Sequence, residues 1–246
     1  MTTTTTDLMR QRYAEIEATV AAVSKGACHA EPSKLRVEEA LVNGVGQYLF
    51  DIKKEGIKNN YEVTLNRNDV FVPTRIGLYV AIQDNNKPAK EILFAYIPVN
   101  DGVNPSIHPV GFVKDDANAI YNGKLTWQIQ NGVMFSSFPT ERFKYVPQTQ
   151  GYFSIGADES VVRQGIQSEF SIDATSEVAI PRIYVAGTMD HRIAVNFDAQ
   201  GLDFSCTEGN SAKLVLYMDG FLVKGGTQYY DGENAFGQAV VGSWGR

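Results

Sequence analysis

Apolar and polar positions follow three different rhythms along the chain. Near the start, Met9, Tyr13, Ile16, Val20 and Val23 fall at steps of 4, 3, 4 and 3, a heptad-like seam that predicts an amphipathic helix. Thr6 or Asp7 supplies its N-cap and Gly26 its stop. An isolated helix needs about 12–15 residues to be even marginal in water, so the seam must dock on something. Two surfaces qualify: the chain's own body, or a neighbouring subunit that the helix reaches as an assembly arm.

Residues 33–49 carry no clear period and read as either a short helix or a loop, with Gly44-Val45-Gly46 as a turn. That turn lacks the third glycine and the strand-to-helix setting of a phosphate loop. From residue 61 the rhythm becomes β. Residues 61–65 alternate, and 70–82 form a long β-branched and aromatic run. Pro73 and Gly77 inside that run point to a bend or bulge near an edge rather than one uninterrupted central strand. Loop chemistry at 84–88 precedes a strand at 91–98, and 115–121 reads as one helical turn. In 124–130, Leu125, Trp127 and Ile129 share one face while Lys124, Thr126, Gln128 and Gln130 share the other. Asn131-Gly132 is a hairpin dipeptide. Strands follow at 133–138, 142–146, 169–172, 177–186, 191–197 and 212–224, with Asp219-Gly220 a bulge or turn in the last. The remaining 225–246 is rich in glycine and aromatics (Tyr229, Tyr230, Phe236, Trp244) and reads as an extended arm.

About eight strand-and-loop units therefore occupy 69–224. Helices do not alternate with them, which argues against a parallel α/β fold. Antiparallel strands need a second sheet or closure to cover their apolar faces, so the expected class is a mainly β sandwich or jelly roll with an N-terminal helix and a C-terminal tail. The expected division is 1–60 as helical arm and linker, 61–224 as β domain and 225–246 as arm. Because Gly26 and Pro32 set the helix apart, the β body is expected to fold without residues 1–26.

Composition narrows the function. With 246 residues, 43% hydrophobic, the chain has enough apolar material for a substantial core. The formal charge of −6 is unevenly placed: 1–60 and 61–150 each balance at eight basic and eight acidic residues, and 151–246 holds six against twelve. No basic arm or patch is present to neutralise phosphates, so direct nucleic-acid binding is not expected. The first residues have neither a basic nor an apolar signal region, and no stretch approaches the roughly 20 apolar residues of a membrane helix, which predicts a soluble chain without a cleaved signal. Cys28 and Cys206 are expected to be reduced.

Candidate chemistry is sparse. Asp190-His191 resembles a base beside its orienting carboxylate, but adjacent residues on a strand point to opposite faces. Cys28-His29 lacks the further ligands of a metal site. Asp115-Asp116 with Asn118 offers oxygen ligands without the glycine and closing glutamate of an EF-hand loop, and reads as a solvated loop. His108 sits in a loop. No catalytic residue, metal ligand or cofactor is assigned, and the chain is expected not to be an enzyme. The assigned residues are apolar: the helix seam Met9, Tyr13, Ile16, Val20 and Val23, and the tail residues Tyr229, Tyr230, Phe236 and Trp244, both read as surfaces that meet a partner.

Two stretches carry a resemblance. Residues 65–80 (LNRNDVFVPTRIGLYV), and 120–133 (IYNGKLTWQIQNGV) running on to 142–150 (RFKYVPQTQ), resemble capsid proteins of small tailless bacteriophages. The resemblance implies a jelly-roll subunit of an icosahedral virion, made in the host cytoplasm, whose partners are copies of itself and other virion proteins. Many such capsid proteins carry two rolls; eight units fit one roll better and leave two as the alternative. The resemblance also leaves an internal membrane open, though nothing in the residues indicates one. The competing reading is a sandwich-type binding module that recognises a receptor or carbohydrate.

Overall fold

A computed structural model describes residues 5–53, 61–94, 97, 111–129, 132–144, 153–154, 161–162, 177–178 and 184–229. The fold is mainly β and antiparallel, resembling a β-sandwich, with one sheet curled into a half-barrel and a short N-terminal helix. In chain order the elements are α1 (Thr5–Ser24), β1 (Ala30–Ala40), β2 (Gln47–Phe50), β3 (Val70–Asp84), β4 (Lys87–Phe94), β5 (Lys124–Ile129), β6 (Gly132–Pro139), β7 (Phe153–Ser154), β8 (Val161–Val162), β9 (Glu177–Val178), β10 (Val185–Ala186), β11 (His191–Asn196) and β12 (Asn210–Val223). The large sheet runs β1-β12-β3-β10, with β9 and β4 also paired to β3; the small sheet runs β2-β11-β5-β6; β7 and β8 pair with each other.

The two main sheets face each other over one core. Period-two alternation sends Leu35 and Val37 of β1, Leu78 and Val80 of β3, and Leu214 and Leu216 of β12 inward from the large sheet. Tyr48 and Phe50 of β2, Leu125 and Trp127 of β5, and Ile193 and Val195 of β11 oppose them from the small sheet. The expected inner face of β5, Leu125, Trp127 and Ile129, is buried.

Three expectations change. Residues 33–49 are neither helix nor loop: β1 lies beside β12 from Ala30↔Val223 to Ala40↔Lys213, and β2 follows after a turn at Gly44, where φ is +75°. The β body therefore begins at Ala30, inside the stretch assigned to arm and linker. Strand β3 is one continuous central strand, buried from Val70 to Ile82 on both faces. Its irregularity is a bulge at Thr74, opposite Asp219 and Gly220, where Thr74 Oγ1 donates to the Asp219 carbonyl (3.1 Å). Gly220 is required there, because a side chain would collide with the Val72 carbonyl oxygen. Pro73 sits beside this bulge, paired with Gly220 of β12. Gly77 serves as the floor on which the Tyr79 ring lies. Finally, 140–143 forms a 3-10 turn in place of the start of the expected strand at 142–146; Arg142 and Phe143 belong to it, and 145–146 lie outside the described residues. The expected strand at 169–172 also lies outside them.

Antiparallel crossings put the connections 41–46, 111–123 and 197–209 at one end of the sandwich. They are tied together there by Asn43 Oδ1 accepting from Phe204 N–H (2.7 Å), Asp116 Oδ2 accepting from Asp203 N–H (3.0 Å) and Val113 N–H donating to the Ser205 carbonyl (2.9 Å). The opposite end carries 51–53, 66–69, 187–190 and the turn after β12, linked by Gly225 N–H to Asp69 Oδ1 (2.9 Å) and Lys53 Nζ to the Met189 carbonyl (2.5 Å).

Candidate functional site

The helix seam meets the chain's own body. Ile16 and Val20 are buried in the common core, and the half-exposed Tyr13 ring packs on Phe221 with centroids 5.2 Å apart. Glu17 fastens the helix to the start of β1, accepting from Ala30 N–H (2.7 Å) and meeting His29 Nδ1 (2.8 Å). These contacts, the His29 hydrogen bond first, hold the Glu17 carboxyl below its ordinary range. Of the two surfaces open to the seam, Ile16 and Val20 occupy the internal one. The side chains of Met9 and Val23 lie outside the described set. In the tail, Tyr229 is half-buried against the core at the end of a 3-10 turn, Gly226–Tyr229, while Tyr230, Phe236 and Trp244 lie outside the described residues.

A charged cluster that sequence reading missed is buried on the back of the large sheet. Arg36 and Glu38 of β1, Lys213 of β12 and Glu91 of β4 form a ring of ion pairs. Arg36 contacts Glu38 (2.7 Å) and Glu91, and Lys213 contacts Glu38 (3.0 Å) and Glu91 (3.3 Å). The Glu38 and Glu91 side chains are 0% and 3% exposed, so each charge depends on its neighbours rather than on water. In register, Lys213 pairs with Ala81 of β3, and Glu91 pairs with Gln83 two residues further on, so Glu91 reaches Lys213 diagonally across β3. Tyr61 lies over the Arg36 guanidinium at 5.0 Å and donates its hydroxyl to the Ala89 carbonyl (2.9 Å), joining the two edges of the curled sheet. Beside the ring, Tyr79, Ala81 and Val215 form a second apolar cluster, packed by Leu93 and Tyr217.

The opposite inversion, apolar groups in water, occurs at the 41–46 end. Among the described residues six large hydrophobic side chains are exposed; Val42 (52%), Val45 (38%) and Val113 (48%) lie at this end, and Leu49 (49%) follows further along β2. Val42 and Val45 close the turn between β1 and β2, Leu49 stands on the outer face of β2, and Val113 joins them through Ser205 and Asn43. The alternation of Leu35, Arg36, Val37 and Glu38 was the one sequence signal for the strand leading here.

The sequence candidates for chemistry do not converge. Asp190 is fully exposed and its carboxylate lies 3.4 Å from Lys53, whereas His191 turns inward, with Nε2 on the Ala186 carbonyl (3.0 Å) and burial lowering its pKa. Cys28 is buried with its N–H on Ser24 Oγ (3.0 Å), apart from the exposed His29. Burial raises the thiol of Cys206, to about 11. Asp116 is engaged by Asp203 N–H, and Asn118 donates to the Asp115 carbonyl (3.1 Å). Asp203 is held well below the usual carboxylate range by Ser205 and then by Lys114. His108 lies outside the described residues. Among the described residues no group of three or more His, Cys, Asp or Glu could hold a metal ion, and no helix is long and apolar enough to cross a membrane. No protein-family model matches the chain, and no curated protein matches it.

Proposed function

We propose that the chain is a virion structural protein: a single jelly-roll subunit that associates with copies of itself and other virion proteins in an icosahedral bacteriophage shell. The observation that carries this reading is strand order. When β1, β2, β3, β5, β6, β10, β11 and β12 are counted first to eighth, the large sheet runs 1-8-3-6 and the small sheet 2-7-4-5. That is the order produced when two Greek keys wrap into a jelly roll. On this count β4 is an insertion after the third strand, and β7, β8 and β9 are insertions after the fifth.

Fold alone does not give function. The resemblance of 65–80, 120–133 and 142–150 to phage capsid proteins supports the virion reading, and the exposed apolar residues Val42, Val45, Leu49 and Val113 support association through the body. Electron microscopy of the purified full chain tests the proposal: closed particles or capsomer-like rings are the expected result. A chain that stays monomeric under every assembly condition, yet binds glycans or a cell-surface receptor, would establish the alternative of a sandwich-type binding module.

A further inference from the structure

Strands β1 and β2 each end a sheet, and the chain guards only the first of these edges. On β1, Arg36 N–H donates to the Val63 carbonyl (2.8 Å), Val63 N–H returns a bond to the Arg36 carbonyl (2.9 Å), and Glu38 N–H donates to Glu62 Oε1 (3.3 Å). Pro32 on the same edge has no N–H to offer, and Lys34 adds an exposed charge. These are the usual devices that keep one sheet from adding to another.

Among the described residues β2 has none of them. It pairs only with β11, and the Gly46 carbonyl accepts from Phe197 N–H (2.9 Å). The antiparallel pattern then turns the backbone groups of Tyr48 and Phe50 toward β11 and leaves those of Gln47, Leu49 and, just past the strand, Asp51 facing outward. Residues 47–50 hold no proline and no charge. Gln47 is exposed and Leu49 is half-exposed, so the edge is open to a strand from outside.

The open positions define their own partner. They fall at 47, 49 and 51, symmetric about Leu49. A two-fold axis through Leu49 therefore brings the same stretch of another copy into antiparallel register, with Leu49 opposite Leu49 and each Gln47 opposite an Asp51. Open N–H groups then meet open carbonyls, the two leucines cover each other, and each Asp51 carboxylate faces an amide rather than a like charge. A shift of two residues either way sets Leu49 against Gln47 or Asp51 and leaves its apolar surface uncovered. The paired stretch is only about 17 Å long. That is too short to bury the roughly 800 Å² per partner of a stable dimer face. One such contact is weak alone and holds when the other contacts of a closed assembly act with it.

We infer that β2 joins β2 of a second copy across a two-fold axis at Leu49, so that two four-stranded sheets run on as one. This deepens the shell reading, on which it rests for the further contacts, by naming one surface through which subunits meet. The test uses full-length chains and measures the concentration needed for association. Leu49→Asp and Leu49→Lys are each expected to raise it about tenfold, because like charges then face each other on the axis, and an equimolar mixture of the two is expected to bring it back near that of the unaltered chain. A mixture no better than either variant alone overturns the inference, whether another segment of the chain or a different protein occupies the edge. A second measurement does not depend on charge. Oxidised Leu49→Cys chains are expected to link position 49 to position 49, since opposed residues of a hydrogen-bonded antiparallel pair lie about 5.5 Å apart between Cα atoms, within disulfide reach. Ile92→Cys, on the exposed face of β4, serves as the control and is expected to stay unlinked. Links that involve only Cys28 or Cys206, or that form as readily at position 92, overturn the inference. If particles form with Leu49→Asp as readily as with the unaltered chain, the contact is wrong while the shell reading stands. If the mixture restores association but yields only pairs, the contact stands and the shell reading fails. A full chain that stays monomeric at every concentration overturns both.

Discussion

Strand β1 and the corner that follows it depart from the usual arrangement in opposite directions. Within 14 residues the chain buries Arg36 and Glu38, then exposes Val42, Val45 and Leu49. The buried charges are balanced inside the molecule, by Lys213 and Glu91, two residues far away in sequence. The exposed apolar groups have no such balance among the described residues. The difference separates two kinds of rule-breaking: the first serves the fold, and the second leaves the apolar surface that the proposed association would cover.

The largest predicted effect strikes the internally balanced region. Replacing Glu91 with Met leaves Arg36 and Lys213 short of a counter-charge and should cost about 3–5 kcal/mol in urea unfolding, whereas replacing all four charged residues by apolar ones of similar volume should recover much of that loss. A near-neutral single substitution would show that water reaches the ring. Trp127→Ala, in the ordinary apolar core, should also cost about 3–5 kcal/mol and provides the reference against which the ring is judged.

Next in size is the helix, which tests whether α1 sides with the body or with the corner. Ile16→Ala should cost about 2–4 kcal/mol. The sequence expectation for deleting residues 1–26 is reversed by the burial of Ile16 and Val20: the truncated chain should lose stability rather than keep an unaltered cooperative melt. An unchanged melt would return the helix to the role of a detachable arm.

Much of the β body was legible because its faces obey period two. Trp127, Leu125 and Ile129 announced a buried face, and β11 and β12 fell within two residues of their expected bounds. The heptad seam of α1 was equally readable as apolar, but periodicity records that a face is covered and not what covers it. Residues 33–49 were missed because the alternation of Leu35, Arg36, Val37 and Glu38 is short and breaks at Glu39-Ala40, and Val42 and Val45 sit in a turn with no period to follow; the burial of Arg36 and Glu38 by partners on β4 and β12 left no local mark at all. Two-sided burial of β3 likewise concealed its central place behind Pro73 and Gly77.

A smaller effect concerns pH at the end away from the corner. Burial lowers the His191 pKa in the folded chain, while the unfolded value is near 6.5. The folded state then binds fewer protons, so stability is full above about pH 6.5 and declines as acid protonates the unfolded chain, down to the folded pKa. The urea midpoint should fall between pH 7.5 and 5, and His191→Gln should flatten part of that slope; an identical slope would mean that the ring is hydrated. Smallest of all, Leu49→Asp should change the stability of the dilute chain by no more than about 0.5 kcal/mol, because the side chain is already half in water. A larger loss would place Leu49 in the fold and dissolve the contrast with Arg36 and Glu38.

Hydrogen exchange, comparing the dilute full chain with its assembled form, tests most directly that the two inversions are balanced in different places. The backbone amides of Gln47 and Leu49 are predicted to gain strong protection on assembly while those of Arg36 and Glu38 stay as protected as before. Assembled particles in which 47 and 49 exchange as fast as in the dilute chain would contradict the account.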